Sequence, residues 1–437
     1  MTGHLLIDIL ERGTREGVGV GRPERADEVR GVRLLPGVAG WLALCAALVC
    51  GPRYLSRAQQ ATPQAGAGTR LSQALAGADG TAAKGKPVSV AQLDGLLAEI
   101  GKKRDSAAAR ELYKLRLTER LSSAKLAAMR DTLHGSHARA ALTAVGDVSV
   151  FLSLPGGEIP VAIPPDMTEQ RRMVTLAVEY FHDTLPKLPN FFATRTTIRY
   201  DDTSEDPEHP GVDLALGEPL HETNRSSAIV VYRDHKEVVN AAKSRGRTPY
   251  EEEKGLVTRG TFGPILSTVL FDAAHGQVTF SHWEQGVSGP VAVFHLRVLR
   301  EQSHYDVAYR RVGETAANAS LERPTAYQAE ISIDPASGAI LRLALTADLE
   351  PDADMVRADV MVEYAPVAIG GTSYICPVRS VAYSVGRVMM RGRLRSEAAL
   401  QPEGEVTRLN DMVFGDYHLF RSEMRILTDD DAAEQKP

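Results

Sequence analysis

The apolar positions change their spacing once along the chain, from a helical period of about 3.6 to a strand period of 2, near Asn190. Before that point Val90, Leu93, Leu97 and Ile100 recur on one helical face, and Ser89 with Gln92 has the spacing of a capping box. A second helical run takes in Leu112, Tyr113, Leu115, Leu117 and Leu121, and a third joins Leu126, Met129 and Leu133. A fourth extends from Ala138 to Leu152 through Leu142, Val145 and Val148, and Pro155 to Pro165 breaks the pattern. Asp166 and Glu169 then repeat the capping-box spacing. Met173, Val174, Ala177, Val178, Phe181 and Leu185 predict an amphipathic helix ending before Pro186 and Pro189. Helices this short need a partner surface, because alone they are marginal in water.

Beyond Asn190, Phe192, Thr194, Thr196, Ile198 and Tyr200 alternate with polar neighbours. Strands are predicted over 228–233, 256–262, 265–271, 278–284, 291–299 and 303–310. The segments Tyr327 to Ile333 and Ala339 to Leu345 flank an Asp334-Pro335-Ala336-Ser337-Gly338 turn; Val356 to Tyr364 and 372–385 flank Gly370-Gly371. Strands near 387–395, 405–414 and 416–426 complete the series. Many strands joined by short turns predict an antiparallel meander. The expected fold class is α+β: an N-terminal helical segment, then a large curved antiparallel sheet, half-barrel-like and open, packed on a helix.

Ahead of the helices, an uncharged run from Leu34 to Pro52 has its densest apolar part at Trp41 to Cys50, about the length of a signal-peptide core and short for a membrane span. Arg30 and Arg33 precede it, and Ser56-Arg57-Ala58 offers small residues for cleavage after Ala58. The charged leader 1–33 is unusual for a signal peptide. It fits either a start codon placed too far upstream or an uncleaved signal anchor, in which case 34–52 contacts the membrane. The expected organisation is a leader and signal peptide or anchor over 1–58, a flexible Ala/Gly/Gln/Thr-rich linker over 59–87, a helical segment over 88–165, a β domain with its leading helix over 166–428, and an acidic tail over 429–437. The expected location is the periplasm, free or anchored facing it.

Charge sharpens this picture. The chain has 50 Lys and Arg against 56 Asp and Glu, net −6; the first 58 residues hold eight and six of these, leaving 42 against 50, net −8. That balance excludes a general nucleic-acid binder, whose affinity comes from neutralising phosphates. Of three cysteines, Cys45 and Cys50 lie in the apolar run, so after cleavage Cys376 alone remains, with no internal disulfide and no thiolate metal site. Its strand-like setting predicts a buried, inert thiol.

Motifs add little chemistry. Gly80-Thr81-Ala82-Ala83-Lys84-Gly85-Lys86 has phosphate-loop spacing, but Pro87 stands where a hydroxyl should hold magnesium. Gly286-Val287-Ser288-Gly289-Pro290 reads as a hairpin turn rather than a nucleophile elbow. His282, His295 and His304 fall on three neighbouring strand segments with Glu284 and Asp306 close by, which makes them weak metal-ligand candidates; no close-spaced ligand motif joins them. The acidic runs at Asp201 to Glu208 and Asp429 to Asp431 lack the spacing of a calcium loop. No catalytic residue and no cofactor is assigned.

Several segments of the strand region do carry a resemblance. They are Leu188-Pro189-Asn190-Phe191 with Thr194-Arg195-Thr196-Thr197, Ser281-His282-Trp283-Glu284, Ser303-His304-Tyr305, Ile333-Asp334-Pro335 with Gly338-Ala339-Ile340-Leu341-Arg342, and Tyr417-His418-Leu419-Phe420-Arg421. Over roughly residues 88 to 428 the chain resembles an uncharacterised family of exported bacterial proteins, which implies no activity. The strand, Asp-Pro turn and returning strand also resemble the half-barrels of LolA/LolB-type lipoprotein carriers and the periplasmic stress regulator RseB, an analogy of fold. On that analogy the helix at 166–185 plugs a sheet whose inward candidates are Phe192, Ile198, Phe280, Phe294, Leu296, Ile331, Ile333, Leu343 and Val360. The expected function is a non-catalytic envelope protein binding a lipid or another apolar ligand. A periplasmic protein–protein interaction module and a secreted metal-dependent hydrolase are the alternatives.

Overall fold

The computed structural model describes residues 85–205, 214–234, 236–239, 255–256, 263–310, 320–350, 355–391 and 400–420. The leader, the apolar run 34–52, nearly all of the linker and the acidic tail lie outside the described residues, as does most of the phosphate-loop-like segment. No described helix is long and apolar enough to cross a membrane.

A short strand β1 (Lys86–Val88) precedes α1 (Val90–Ile100), α2 (Asp105–Leu112), β2 (Leu115–Leu117), α3 (Ser123–Asp131) and α4 (Ser136–Val148). The capping box of α1 is reciprocal: Ser89 Oγ accepts from Gln92 N at 3.1 Å, and Gln92 Oε1 accepts from Ser89 N at 2.8 Å. The second predicted run is broken in two. Leu112 and Leu117, five residues apart, would lie about 140° apart around one helix. Both reach the same core because the chain leaves α2 and becomes β2, which pairs in parallel with β1. Helix α4 is the axis of this layer, buried from Ala140 to Asp147.

Helix α5 (Met167–Thr184) follows an extended segment and is capped by Asp166, whose Oδ1 accepts from Glu169 N at 2.8 Å. The box is one-sided, since the Glu169 carboxylate turns instead to Arg172 at 2.7 and 2.9 Å. From β3 (Phe191–Glu205) the chain is mainly strand: β4 (Leu214–Arg233), β5 (Lys236–Val239) and β6 (Gly255–Leu256). The segment 265–271, predicted as a strand, is a helix, α6 (Pro264–Ala273). Proline fits the first turn, and Ile265, Leu266, Val269, Leu270 and Ala273 bury one helical face; the β-branched residues disguise that spacing. Then come β7 (Gln277–Gln285), β8 (Pro290–Val298), β9 (Asp306–Arg310), β10 (Ser320–Pro324), β11 (Ala326–Ile333), β12 (Ile340–Asp348), β13 (Met355–Ile369), β14 (Thr372–Arg391) and β15 (Leu400–Leu419). The last three predicted strands are two: 387–391 belongs to β14, and β15 runs through 405–414 and 416–419, with an irregularity at Gly415–His418 where Asp416 takes φ 48°.

Ten strands form one antiparallel sheet in the order β5-β4-β3-β15-β14-β13-β12-β11-β8-β7, and its two ends do not meet. The α+β class and the antiparallel pairing are as expected, but the order departs from a simple meander where β3 pairs with β15 and β8 with β11, and the sheet is covered on both faces. One face carries α5, α6 and a three-stranded sheet β10-β9-β6, over a core that includes Phe294, Leu296, Ile331, Leu343 and Val360. The other carries the helical layer, with Ala144 and Val150 against Tyr200, Met361, Val381, Tyr383 and Leu409. Two-sided burial explains the unbroken buried run Ala358 to Val362 in β13.

The turn predicted at Asp334 to Gly338 ties the sheet to α5. Asp334 Oδ1 accepts from Ala336 N at 3.0 Å, Gly338 has φ 78°, and Arg172 donates to the Pro335 carbonyl at 3.0 Å. A Cβ on Gly338 would stand 2.5 Å from the Leu176 carbonyl oxygen. Gly338→Ala is expected to lower stability by more than the roughly 1–2 kcal/mol of left-handed backbone alone, because α5 must also give way. Urea unfolding monitored by circular dichroism measures the loss.

Candidate functional site

Helix α5 is held to the sheet by its middle. Met173, Ala177 and Val178 are wholly buried, whereas Phe181 and Leu185 near its end, and Leu188 beyond it, are only half-buried. Past Thr184 a single 3-10 turn, Leu185–Lys187, leads the chain down to β3. Helix α6 approaches from the side: Gly263, φ 153°, sets its first turn so close that a Cβ there would meet Leu185 Cδ1 at 2.9 Å. Between the two helix ends and the sheet lies a slit. Tyr180, Phe181 and Leu185 form one wall, Leu266 the other, and Ile340, Tyr364 and Ile375 the floor. Its cavity volume is about 50 Å³, against roughly 300–1,000 Å³ for a site that encloses a small ligand. Burial pushes the Tyr364 and Tyr417 phenols well above the usual tyrosine range. Tyr417 donates to the Pro377 carbonyl at the slit's edge.

The predicted apolar candidates surround this place without lining it. Phe294, Leu296, Ile331 and Leu343, with Ile333 and Val360, are buried in the core beneath α5 and α6. Phe280 packs on that core, its ring 5.8 Å from Phe294 and 5.4 Å from Trp283. Phe192 and Ile198 lie on the opposite face, because the residue of β3 that enters this core is Phe191, and alternation sends its neighbour across the sheet. Phe192 meets the His418 ring at 5.3 Å, and Ile198 packs with Tyr200 under the helical layer. Phe181 and Leu185 of the slit were visible in the apolar stripe; Tyr180, off that stripe, and Leu266, hidden in a segment read as strand, were not.

The three histidines do not converge. His304 Nδ1 meets Asp272 of α6 at 2.6 Å, on the face with α5 and α6. His295 Nε2 lies 3.4 Å from Gln328, and His282 Nε2 lies 3.0 Å from Glu284, both on the face with the helical layer. Among the described residues no group of three or more His, Cys, Asp or Glu is placed to hold a metal ion. Gly286 to Gly289 forms the β7–β8 hairpin, closed by Gly286 N donating to the Gly289 carbonyl at 2.9 Å.

Charged residues that no sequence pattern singled out join the helical layer to the sheet. Arg379 of β14 donates to Asp147 of α4 and, at 3.1 Å, to Asp411 of β15. Arg342 of β12 donates to the Val150 carbonyl at 2.5 Å, and Tyr200 OH to the Ala140 carbonyl at 3.1 Å. Arg120 reaches Glu284 of β7. A second small cleft of about 40 Å³ lies along this junction, lined in part by Tyr113, Arg116, Val145, Asp202 and Leu220.

Two measurements probe these environments. Burial pushes the Glu284 carboxyl up, but the His282 hydrogen bond and the charges of Arg120 and Arg342 outweigh it and hold it at about 2. A depressed carboxylate stabilises the fold fully above its unfolded value near 4.5 and loses that contribution as pH falls toward 2. Urea midpoints of the native chain are therefore expected to fall more steeply across that window than those of Glu284→Gln; parallel curves would refute the assignment. Burial also pushes the Cys376 thiol up to about 12. It is expected to ignore a disulfide reagent in the native protein and to react at once in urea.

The chain matches no family model, no curated protein and no solved structure.

Proposed function

We propose that the protein is an exported cell-envelope binding protein that takes an apolar chain, such as the acyl tail of a lipid, into the slit between α5, α6 and the sheet. The observation that carries this reading is the slit's lining: side chains from two helix ends and three strands converge there, and apart from Thr184 they are aliphatic or aromatic. In the closed form described above the cavity is too small for a ligand. Entry requires the end of α5 beyond Val178 to lift, and no residue of that stretch is fully buried. The Pro186-Lys187-Leu188-Pro189 stretch that follows offers a point to bend. Export rests on the apolar run 34–52 and the Ser56-Arg57-Ala58 site. The half-barrel analogy supports the same class of ligand at the same plug helix.

A docking role draws support from a different place: Val161, Ile163 and Met167 stand exposed in the segment that leads from the helical layer into α5. It assigns them no chemistry beyond apolar contact.

Titration of the purified chain with a fluorescent fatty acid is expected to give saturable enhancement, and organic extraction to release lipid. Leu266→Trp, which fills the slit, is expected to weaken binding by about tenfold, or roughly 1.4 kcal/mol, with the circular dichroism spectrum unchanged. Absence of both saturable binding and extractable lipid overturns the reading.

A further inference from the structure

Strand β7 ends the ten-stranded sheet, and its ladder with β8 breaks once. Pairing passes from Phe280 opposite Phe294 to His282 opposite Val293, so Ser281 has no residue across from it. A bulge of this kind re-aims a side chain. Here it brings the exposed Ser281 hydroxyl to 2.9 Å from Nδ1 of the next residue, His282. The far nitrogen of the same ring, Nε2, lies 3.0 Å from Glu284 Oε1. A serine beside a histidine is by itself a local contact. The third member and its support are not local, because Glu284 is gripped by Arg120, which comes from the helical layer 164 residues earlier in the chain.

The protonation states follow from these partners. Glu284, paired with a guanidinium, is a carboxylate and accepts only. His282 Nε2 therefore carries the proton and donates it, which leaves the Nδ1 lone pair directed at the Ser281 hydroxyl. That is the relation of nucleophile, base and orienting acid in a hydrolytic triad, with the two ring nitrogens exchanged relative to the serine-protease arrangement. We propose that Ser281, His282 and Glu284 form a hydrolytic centre for carboxylic esters with a small apolar acyl group.

The step balances with water as the only co-reactant. Ser281 Oγ attacks the ester carbonyl carbon while its proton moves to His282 Nδ1, and Glu284 stabilises the imidazolium. The carbon–alkoxy bond breaks, and the leaving oxygen takes the proton from Nδ1. Water then attacks the acyl-serine, giving its proton to Nδ1, and the carboxylic acid departs as Ser281 Oγ is reprotonated. Among the described residues no strand pairs with the outer edge of β7, and its outward-facing backbone N–H groups are the donors assigned to the oxyanion. Trp283, between His282 and Glu284 in sequence but packed on the opposite face, donates its indole N–H to the Ile163 carbonyl at 3.2 Å, which brings the segment of the exposed Ile163 and Val161 to this edge strand; that segment is the apolar surface assigned to the acyl group.

The full chain is treated with a fluorophosphonate probe and assayed with p-nitrophenyl butyrate. One adduct is expected, mapping by peptide mass spectrometry to Ser281. Ser281→Ala is expected to lose label and turnover, and His282→Gln to slow both by at least about a hundredfold. Circular dichroism and thermal midpoints check that each variant remains folded; Ser281 is exposed and tolerates the change. Label that persists in Ser281→Ala, or labelling of the native chain no faster than of the chain in urea, overturns the proposal. The short ester does not need the slit, so failure of fatty-acid binding leaves this result standing on its own.

Discussion

Arg379 stands between two buried carboxylates, Asp147 from the helical layer and Asp411 from the neighbouring strand. Asp147 is wholly out of water, and Arg379 nearly so. Burying three charges with a net negative sum is costly, and a set of well-packed apolar residues would hold the layers at least as firmly. What the ion pairs add is direction. With Arg342 on the Val150 carbonyl and Tyr200 on that of Ala140, they allow one seating of α4 on the sheet, where apolar contact alone would tolerate sliding. The Ser281–His282–Glu284 relay depends on that seating, since Arg120 reaches Glu284 only when the layer is in register.

The opposite face is organised by shape. Ala177 and the turn at Gly338 bring the middle of α5 close to the sheet, and the larger Tyr180 and Phe181 that follow are only partly buried. The slit is the geometric remainder of that change in side-chain size, and Leu266 and Gly263 bring α6 up to its other side. The helical-layer side holds the Arg379 ion pairs and the relay; the α5–α6 side holds the slit, and it too buries a carboxylate, Asp272, which meets His304 and accepts from Tyr327.

How far the sequence disclosed this depends on whether one period dominated a segment. The α5 stripe, the β11–β12 hairpin and the Ser89 cap were legible because a single spacing and an unambiguous turn or cap residue coincided. Segment 265–271 was not, because Ile, Leu and Val serve a buried helix and a buried strand equally. The sheet's inner face was misassigned at Phe192 and Ile198 because both faces are buried, so alternation no longer says which side is core. His282 was noticed as a possible ligand; its role as the middle of a relay depends on a bulge and on an arginine from another layer, neither of which leaves a local pattern.

The first long strand of the sheet, β3, pairs with the last, β15; Asp201 and Arg408, joined across that ladder, are 207 residues apart. A contact of such sequence separation is slow to form, since loop closure precedes any reward from pairing. On an elongating chain β3 and β4 can pair with each other early, but the other edge of β3 waits for β15, and the sheet stays incomplete there until nearly the whole sequence has been made. A chain with that schedule keeps a long strand edge open late into its own synthesis.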